Sequence, residues 1–280
     1  MGCIARVTAG VYIVKGEKVK GKKLQQAFEL IKIPTRAEKP RTRGLTMVLD
    51  KGLGLHQAED LMEAAPYIDI IKLGWGTSRL FSEKLIHKKV ALYKKHNIHV
   101  GTGGTFFEIA HSQGVTEQFF KYTRELGFNL IEISNGSISL SPQAKSEAIR
   151  LTREMGFMVI SEVGKKEPLE DDRLTIEERI AEAQSDLQAG ASQVIIEARE
   201  GGKSLGIYDD KGSVKEDMAQ TLVKAIGVEN IMFEAPEKSQ QTYLILHFGT
   251  DVNLGNIRTD DVIPLETLRC GIRGDTFGKV

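Results

Sequence analysis

The sequence predicts a closed (β/α)8 TIM barrel behind a short basic N-terminal extension, and three observations predict it. Eight short runs rich in Val, Ile and Leu begin roughly 20 to 40 residues apart, too far for hairpins and suited to parallel strand–helix repeats. The segments between them carry apolar residues every three to four positions beneath a charged face. Eight such repeats within residues 45–280 fit a closed barrel, which uses ~200–250 residues as one domain, better than an open doubly wound sheet.

The extension comes first. Residues 1–44 hold 11 Lys and Arg against 3 Asp and Glu, although the 280-residue chain has 38 of each and no net charge. Two regions follow: a basic arm over 1–44 and a barrel catalytic domain over 45–280. Within the arm, LQQAFELI over 24–31 predicts a short helix ahead of Pro34 and Pro40. The barrel strands are then expected at Thr46–Asp50, Ile68–Trp75, Ile98–Gly103, Leu130–Asn135, Phe157–Val163, Gln193–Arg199, Ile231–Ala235 and Val252–Ile257. Ser82–Asn97 and Thr175–Ala189 are the clearest helices between them. Ser82 and the Thr175/Glu178 pair read as helix starts, and Gly127, Gly156, Gly190 and Gly227 as stops.

Composition narrows the function classes. At 41% hydrophobic and 27% charged residues the chain can bury a sizeable core, which excludes disorder as its main state. Zero net charge offers no general attraction to nucleic acid or membrane, and the arm lacks the aromatic interleaving of a nucleic-acid groove. No apolar run nears the ~18 residues of a membrane span and the start lacks a secretory block, so a cytoplasmic location is expected. Cys3 and Cys270 alone support neither a disulfide framework nor a structural zinc site.

The strand ends carry the chemistry. Period-two alternation puts Asp50, Lys72, Glu132, Ser134, Glu162, Glu197, Arg199, Glu234 and Asn256 at the carboxyl ends, where barrel enzymes build their active sites. So many charges at one end impose a heavy desolvation cost unless they bind something. Several carboxylates can hold Mg2+, a hard cation that takes oxygen ligands, and Lys or Arg beside them can meet an anionic substrate. The Gly101-Thr102-Gly103-Gly104-Thr105 turn ahead of a helix suits a phosphate, or simply a tight turn. Gly202-Lys203-Ser204 is no nucleotide loop, since Glu197 stands where its first glycine belongs. Trp75, the single tryptophan, reads as packing under a loop rather than stacking on substrate.

At these residues the sequence resembles the phosphosulfolactate synthase family. The matching stretches are MVLDKG (Met47–Gly52), KLGWGT (Lys72–Thr77), GGTFFE (Gly103–Glu108), EISNG (Glu132–Gly136), SEVGKK (Ser161–Lys166), IIEARE (Ile195–Glu200), FEAPEKSQQ (Phe233–Gln241), VNLGNI (Val252–Ile257) and RGDTFG (Arg273–Gly278). The resemblance implies a Mg2+-dependent barrel enzyme that adds sulfite to phosphoenolpyruvate, giving (2R)-O-phospho-3-sulfolactate for coenzyme M or sulfolactate formation. It implies metal ligands among Glu132, Glu162 and Glu197, and a proton-donating lysine, Lys165 ahead of Lys72. Gly103, Gly104 and Arg199 are then the expected phosphate contacts, Arg199 or Lys51 the sulfite contact, and Asn256 a further substrate contact. Two rival readings stand beside it: a Schiff-base aldolase with Lys72 as nucleophile, and a noncatalytic anion-binding barrel. By analogy with other barrel enzymes, a homo-oligomer is expected.

Overall fold

Apolar side chains cover both faces of each predicted strand, the pattern of a parallel sheet buried on both sides. The computed structural model describes residues 27–198 and 201–280, and the backbone of Val11–Val14 and Glu17–Lys20. The last two segments, β1 and β2, pair antiparallel, Val11 opposite Lys20. They belong to a first compact unit, Met1–Pro34, and the barrel to a second, Thr35–Val280.

In the second unit eight parallel strands close on themselves in the order β10-β3-β4-β5-β6-β7-β8-β9. They are β3 (Thr46–Asp50), β4 (Ile70–Leu73), β5 (His99–Thr102), β6 (Leu130–Ile133), β7 (Met158–Val163), β8 (Gln193–Ile196), β9 (Ile231–Glu234) and β10 (Asn253–Ile257). Around them lie α1 (Leu55–Leu61), α2 (Glu83–Lys95), α3 (Gly104–Ser112), α4 (Thr116–Glu125), α5 (Pro142–Glu154), α6 (Pro168–Asp171), α7 (Ile176–Ala189), α8 (Glu216–Ile226), α9 (Lys238–Phe248) and α10 (Val262–Arg269). Each of the eight expected strands forms. None of the described helices is long and apolar enough to cross a membrane.

Local chemistry sets the helix ends. Ser82 Oγ accepts from the Leu85 amide to start α2, and Thr175 and Glu178 exchange side-chain and backbone bonds to start α7. Gly127, Gly156, Gly190 and Gly227 all take positive φ, which lets the chain turn out of a helix without a Cβ clash. The helix expected over 24–31 does not extend through its described part: 27–30 form a turn, with Phe28 at φ 59° and the Ile31 amide bonded back to the Phe28 carbonyl. Residues 24–26 lie outside the described residues.

Residues 35–44 pack with the barrel. Arg36 pairs with Glu266 of α10 at 2.8 Å, Arg41 with Asp69 at 2.8 Å, and the Lys39 ammonium donates to the Ala65, Ile68 and His96 carbonyls. These contacts gather on the segments that lead into the strands, so the amino end of the barrel is tied shut and the carboxyl end is left for chemistry. Inside, Met47, Ile70, Leu130, Ile160, Ile195 and Met232 form one apolar layer.

The alternation misplaces Asp50. Met47 and Leu49 point inward, so Asp50 points outward to α2, where it meets Lys89 at 2.6 Å and accepts from Tyr93 at 2.8 Å. Its other oxygen accepts from the Gly52 and Leu53 amides, so one fully buried carboxylate fixes the loop that carries Lys51. Replacing Lys89 by Met leaves that carboxylate without its cation. We expect a loss of ~3 kcal/mol, the low end for breaking a buried pair because Tyr93 and two amides remain. The check is a lower urea midpoint at unchanged m-value; a wild-type midpoint would show that the hydrogen bonds suffice.

Candidate active site

Two residues beyond the apolar layer on five strands, the same inward face turns charged. Ile70 gives way to Lys72, Leu130 to Glu132, Ile160 to Glu162, Ile195 to Glu197 and Met232 to Glu234. All five are at most 5% exposed, and they line a cavity of about 380 Å3 with Gly103, Gly104, Lys166 and Asn256.

Lys72 sits between Glu132 and Glu234, 3.2 Å from each. Burial alone would lower its ammonium, but Glu132, Glu234, Glu162 and Glu197 together outweigh it and hold the group well above its ordinary value. Pairing with two carboxylates favours the charged amine, the reverse of what a Schiff-base nucleophile needs, which counts against the aldolase reading. Lys166, from the loop after β7, reaches Glu162 at 3.0 Å, Glu197 at 3.5 Å and Glu108 at 3.9 Å. It too is raised, burial being overcome by Glu162 and Glu197.

The carboxylates differ. Burial would raise Glu162, yet Lys166 and Lys72 pull it down to about 2. Glu197 is pushed well above its usual range by burial and by the charges of Glu162 and Glu234. The two side chains interact with each other, and their environments hold Glu162 low and Glu197 high. Burial also raises Glu132, against the pull of Lys72. Ligand oxygens of Glu162, Glu197 and Glu234 all lie within 4.8 Å of one another, a spacing that can hold a metal ion. Glu132 is not part of that group; it accepts instead from the Gly104 amide at 2.7 Å.

The glycines of the β5 turn serve close approach. A Cβ on Gly101 would fall 2.9 Å from the Leu130 carbonyl, and one on Gly104 2.3 Å from Ser134 Oγ. The Gly103 and Gly104 amides already donate to Leu73 and Glu132, so the turn brings the start of α3 against the cavity without an open nest of N–H groups.

Other expected residues divide. Asn256, at φ 53°, lines the cavity with its buried Oδ1 lacking a hydrogen-bond partner. Lys51 lies 4.9 Å over the Trp75 ring, which is 52% exposed at the cavity and not packed beneath a loop. Arg199 lies outside the described residues. Lys165 is not brought in: its ammonium donates to the Asn135 carbonyl at 2.6 Å and to Ile138, and its amide to Asp171. The neighbouring lysine enters because alternation from Glu162 runs through Gly164 to Lys166, a signal present in the sequence. Glu108 of α3 was also missed. It is 1% exposed and accepts from Ser134 Oγ, the Gly136 amide at 2.8 Å and the Ser137 amide at 3.0 Å, which fixes the β6 loop. No strand alternation marks it, since it stands on a helix.

Comparison with known proteins agrees with this geometry. Residues 34–275 match the family model of (2R)-phospho-3-sulfolactate synthase. The chain is 47% identical over 255 residues to the phosphosulfolactate synthase of Methanothermobacter thermautotrophicus, covering 91% of this chain and 98% of that protein. It is 49% identical over 239 residues to the Methanocaldococcus jannaschii phosphosulfolactate synthase, covering 85% and 95%. Among solved structures, a phosphonopyruvate hydrolase complexed with oxalate and Mg2+ shares the fold at a TM-score of 0.51 and 12% identity, over 79% of this chain and 77% of that one. The chain therefore belongs to the phosphosulfolactate synthase family of enzymes.

Proposed function

We propose that the cavity joins sulfite to phosphoenolpyruvate with the help of Mg2+, giving (2R)-O-phospho-3-sulfolactate. One observation carries the reading: a layer of four buried glutamates against two ammonium groups, lining a cavity that can admit a small anion. Left as it stands, that layer repels anions. The three clustered carboxylates of Glu162, Glu197 and Glu234 are hard oxygen donors, which suits Mg2+, and the unpartnered Asn256 oxygen leaves room for a further ligand contact. In this reading Glu234 joins Glu162 and Glu197, and Glu132 is held by Lys72 and the Gly104 amide. When bound, Mg2+ supplies positive charge that stabilises the negative charge developing on the substrate carboxylate.

The chain's own groups do the rest. With the Gly103 and Gly104 amides taken by Leu73 and Glu132, the phosphate contact in this reading falls to Arg199, which follows the β8 strand end in sequence. Lys72, pinned by two glutamates, fixes the charge pattern of the floor. Sulfur attacks the methylene carbon, the double-bond electrons move towards the carboxylate, and a proton must reach the phosphate-bearing carbon to set the R centre. Lys166 is the donor in this reading. Its side chain keeps 21% exposure within the cavity while Lys72 keeps 7%, so a substrate atom can reach it.

Lys166→Ala should lower turnover by ~10²-fold or more, the usual cost of losing a general acid. Incubation with sulfite, phosphoenolpyruvate and Mg2+, followed by mass spectrometry for the adduct, reads this directly. No adduct from the wild type removes the function, and a wild-type rate in the variant removes Lys166. In calorimetric Mg2+ titrations without substrate, Glu234→Gln and Glu162→Gln should weaken binding by about 10-fold or more, through the loss of ligand charge, whereas Glu132→Gln should change it far less. Equal losses for all three would return Glu132 to the ligand set.

A further inference from the structure

Trp75 is the chain's single tryptophan, and neither folding nor burial explains it. It is half exposed, and its φ of 54° lies in the left-handed region that bulky residues avoid. Strain of this kind persists where the surroundings impose it, and it gathers at ligand-contacting sites. Gly76 follows at φ 65°, and the 74–75 backbone lies against Gly103, so the indole stands at the cavity edge by construction.

The ring has a specific partner in Lys51, whose ammonium sits 4.9 Å from its centroid, within cation–π range. The backbone beneath Lys51 is fixed by the buried Asp50, through the Gly52 and Leu53 amides. Asp260, held low chiefly by its hydrogen bond from Arg258, also feels the Lys51 charge. The head of a long side chain is thus held against the Trp75 ring, and Trp75 itself lines the cavity. Deeper in the cavity both Lys72 and Lys166 are engaged by glutamates.

We propose that Trp75 is a positioning residue for sulfite, its indole holding the Lys51 ammonium at the mouth so that the ammonium binds sulfite oxygens. This rests on the cavity being the site of sulfite addition, and it deepens that reading by separating the two anions. The three-carbon substrate belongs next to the clustered carboxylates and their cation, so the nucleophile arrives last and from outside. Sulfite is pyramidal, with its sulfur lone pair opposite the three oxygens. An ammonium that takes the oxygens at the rim leaves the lone pair facing inward, towards the methylene carbon. No bond forms or breaks in this binding step.

Steady-state kinetics of Trp75→Ala, Trp75→Phe, Lys51→Met and the Trp75→Ala/Lys51→Met double variant test it. Trp75→Ala and Lys51→Met should each raise KM for sulfite by about 10-fold, in the upper range of a cation–π contact, with KM for phosphoenolpyruvate changed by less than about 3-fold. Trp75→Phe should restore most of the loss, and the double variant should be no worse than either single, because the pair acts as a unit. Sulfite should also shift the wild-type tryptophan emission and leave that of Lys51→Met unchanged. Equal rises in both KM values, multiplicative losses in the double variant, or an unchanged KM for sulfite in Trp75→Ala would overturn the proposal while adduct formation by the wild type stands. Absence of the adduct would instead overturn the function on which it rests.

Discussion

Charge compensation inside a closed barrel is the constraint on which the rest depends. Alternation on the strands forces Lys72, Glu132, Glu162, Glu197 and Glu234 into one layer directly above an apolar one, away from water. Isolated ions there would cost several kcal/mol each even after relaxation. The layer answers with Lys72 between two glutamates and Lys166 beside two more. The balance remains anionic. The Glu162, Glu197 and Glu234 oxygens lie close enough together to hold a divalent cation, which would offset that charge.

Surrounding elements hold this layer in register. Lys145, fully buried on α5, donates to the Glu162 carbonyl at 2.7 Å and pairs with Glu182 and Asp186 of α7, so two helices steady the end of β7. Asp171 accepts from the Lys165 and Gly206 amides, both at 2.8 Å, and pairs with Arg179 at 2.9 Å. One carboxylate thereby ties the loop that carries Lys166 to the loop after β8. Gln240 of α9 adds bonds to the Gly202 and Gly212 carbonyls. Tyr208 donates to the Glu234 carbonyl at 2.6 Å, which joins the β8 loop to β9. Preorganisation of this kind matters because misplacing an acid or a ligand by an ångström weakens it steeply.

Much of this was legible in the residues. The strand–helix rhythm foretold eight strands, and the polar strand ends foretold the layer, because both follow from period two and from burial. What escaped was whatever lies off that period. Asp50 turned outward because the β3 face is set by Met47 and Leu49. Lys165 was the expected donor, yet its ammonium is spent on the Asn135 and Ile138 carbonyls, and Lys166 lines the cavity instead. Glu108 stands on a helix, where strand alternation is silent. The glycines of the β5 turn read as an anion nest, yet their amides are spent on Leu73 and Glu132, which only the three-dimensional approach of β6 reveals. Trp75 could not be told from a packed aromatic without its exposure and its backbone angle.

The most direct test of the central claim is to locate the cation itself. Crystals of the protein grown with Mn2+ as a stand-in for Mg2+ should give one strong anomalous peak among the Glu162, Glu197 and Glu234 carboxylates, at about 2.2 Å from their oxygens. A well-diffracting crystal with no peak there, or with its peak on other residues, would contradict a site built on charge compensation by a divalent ion.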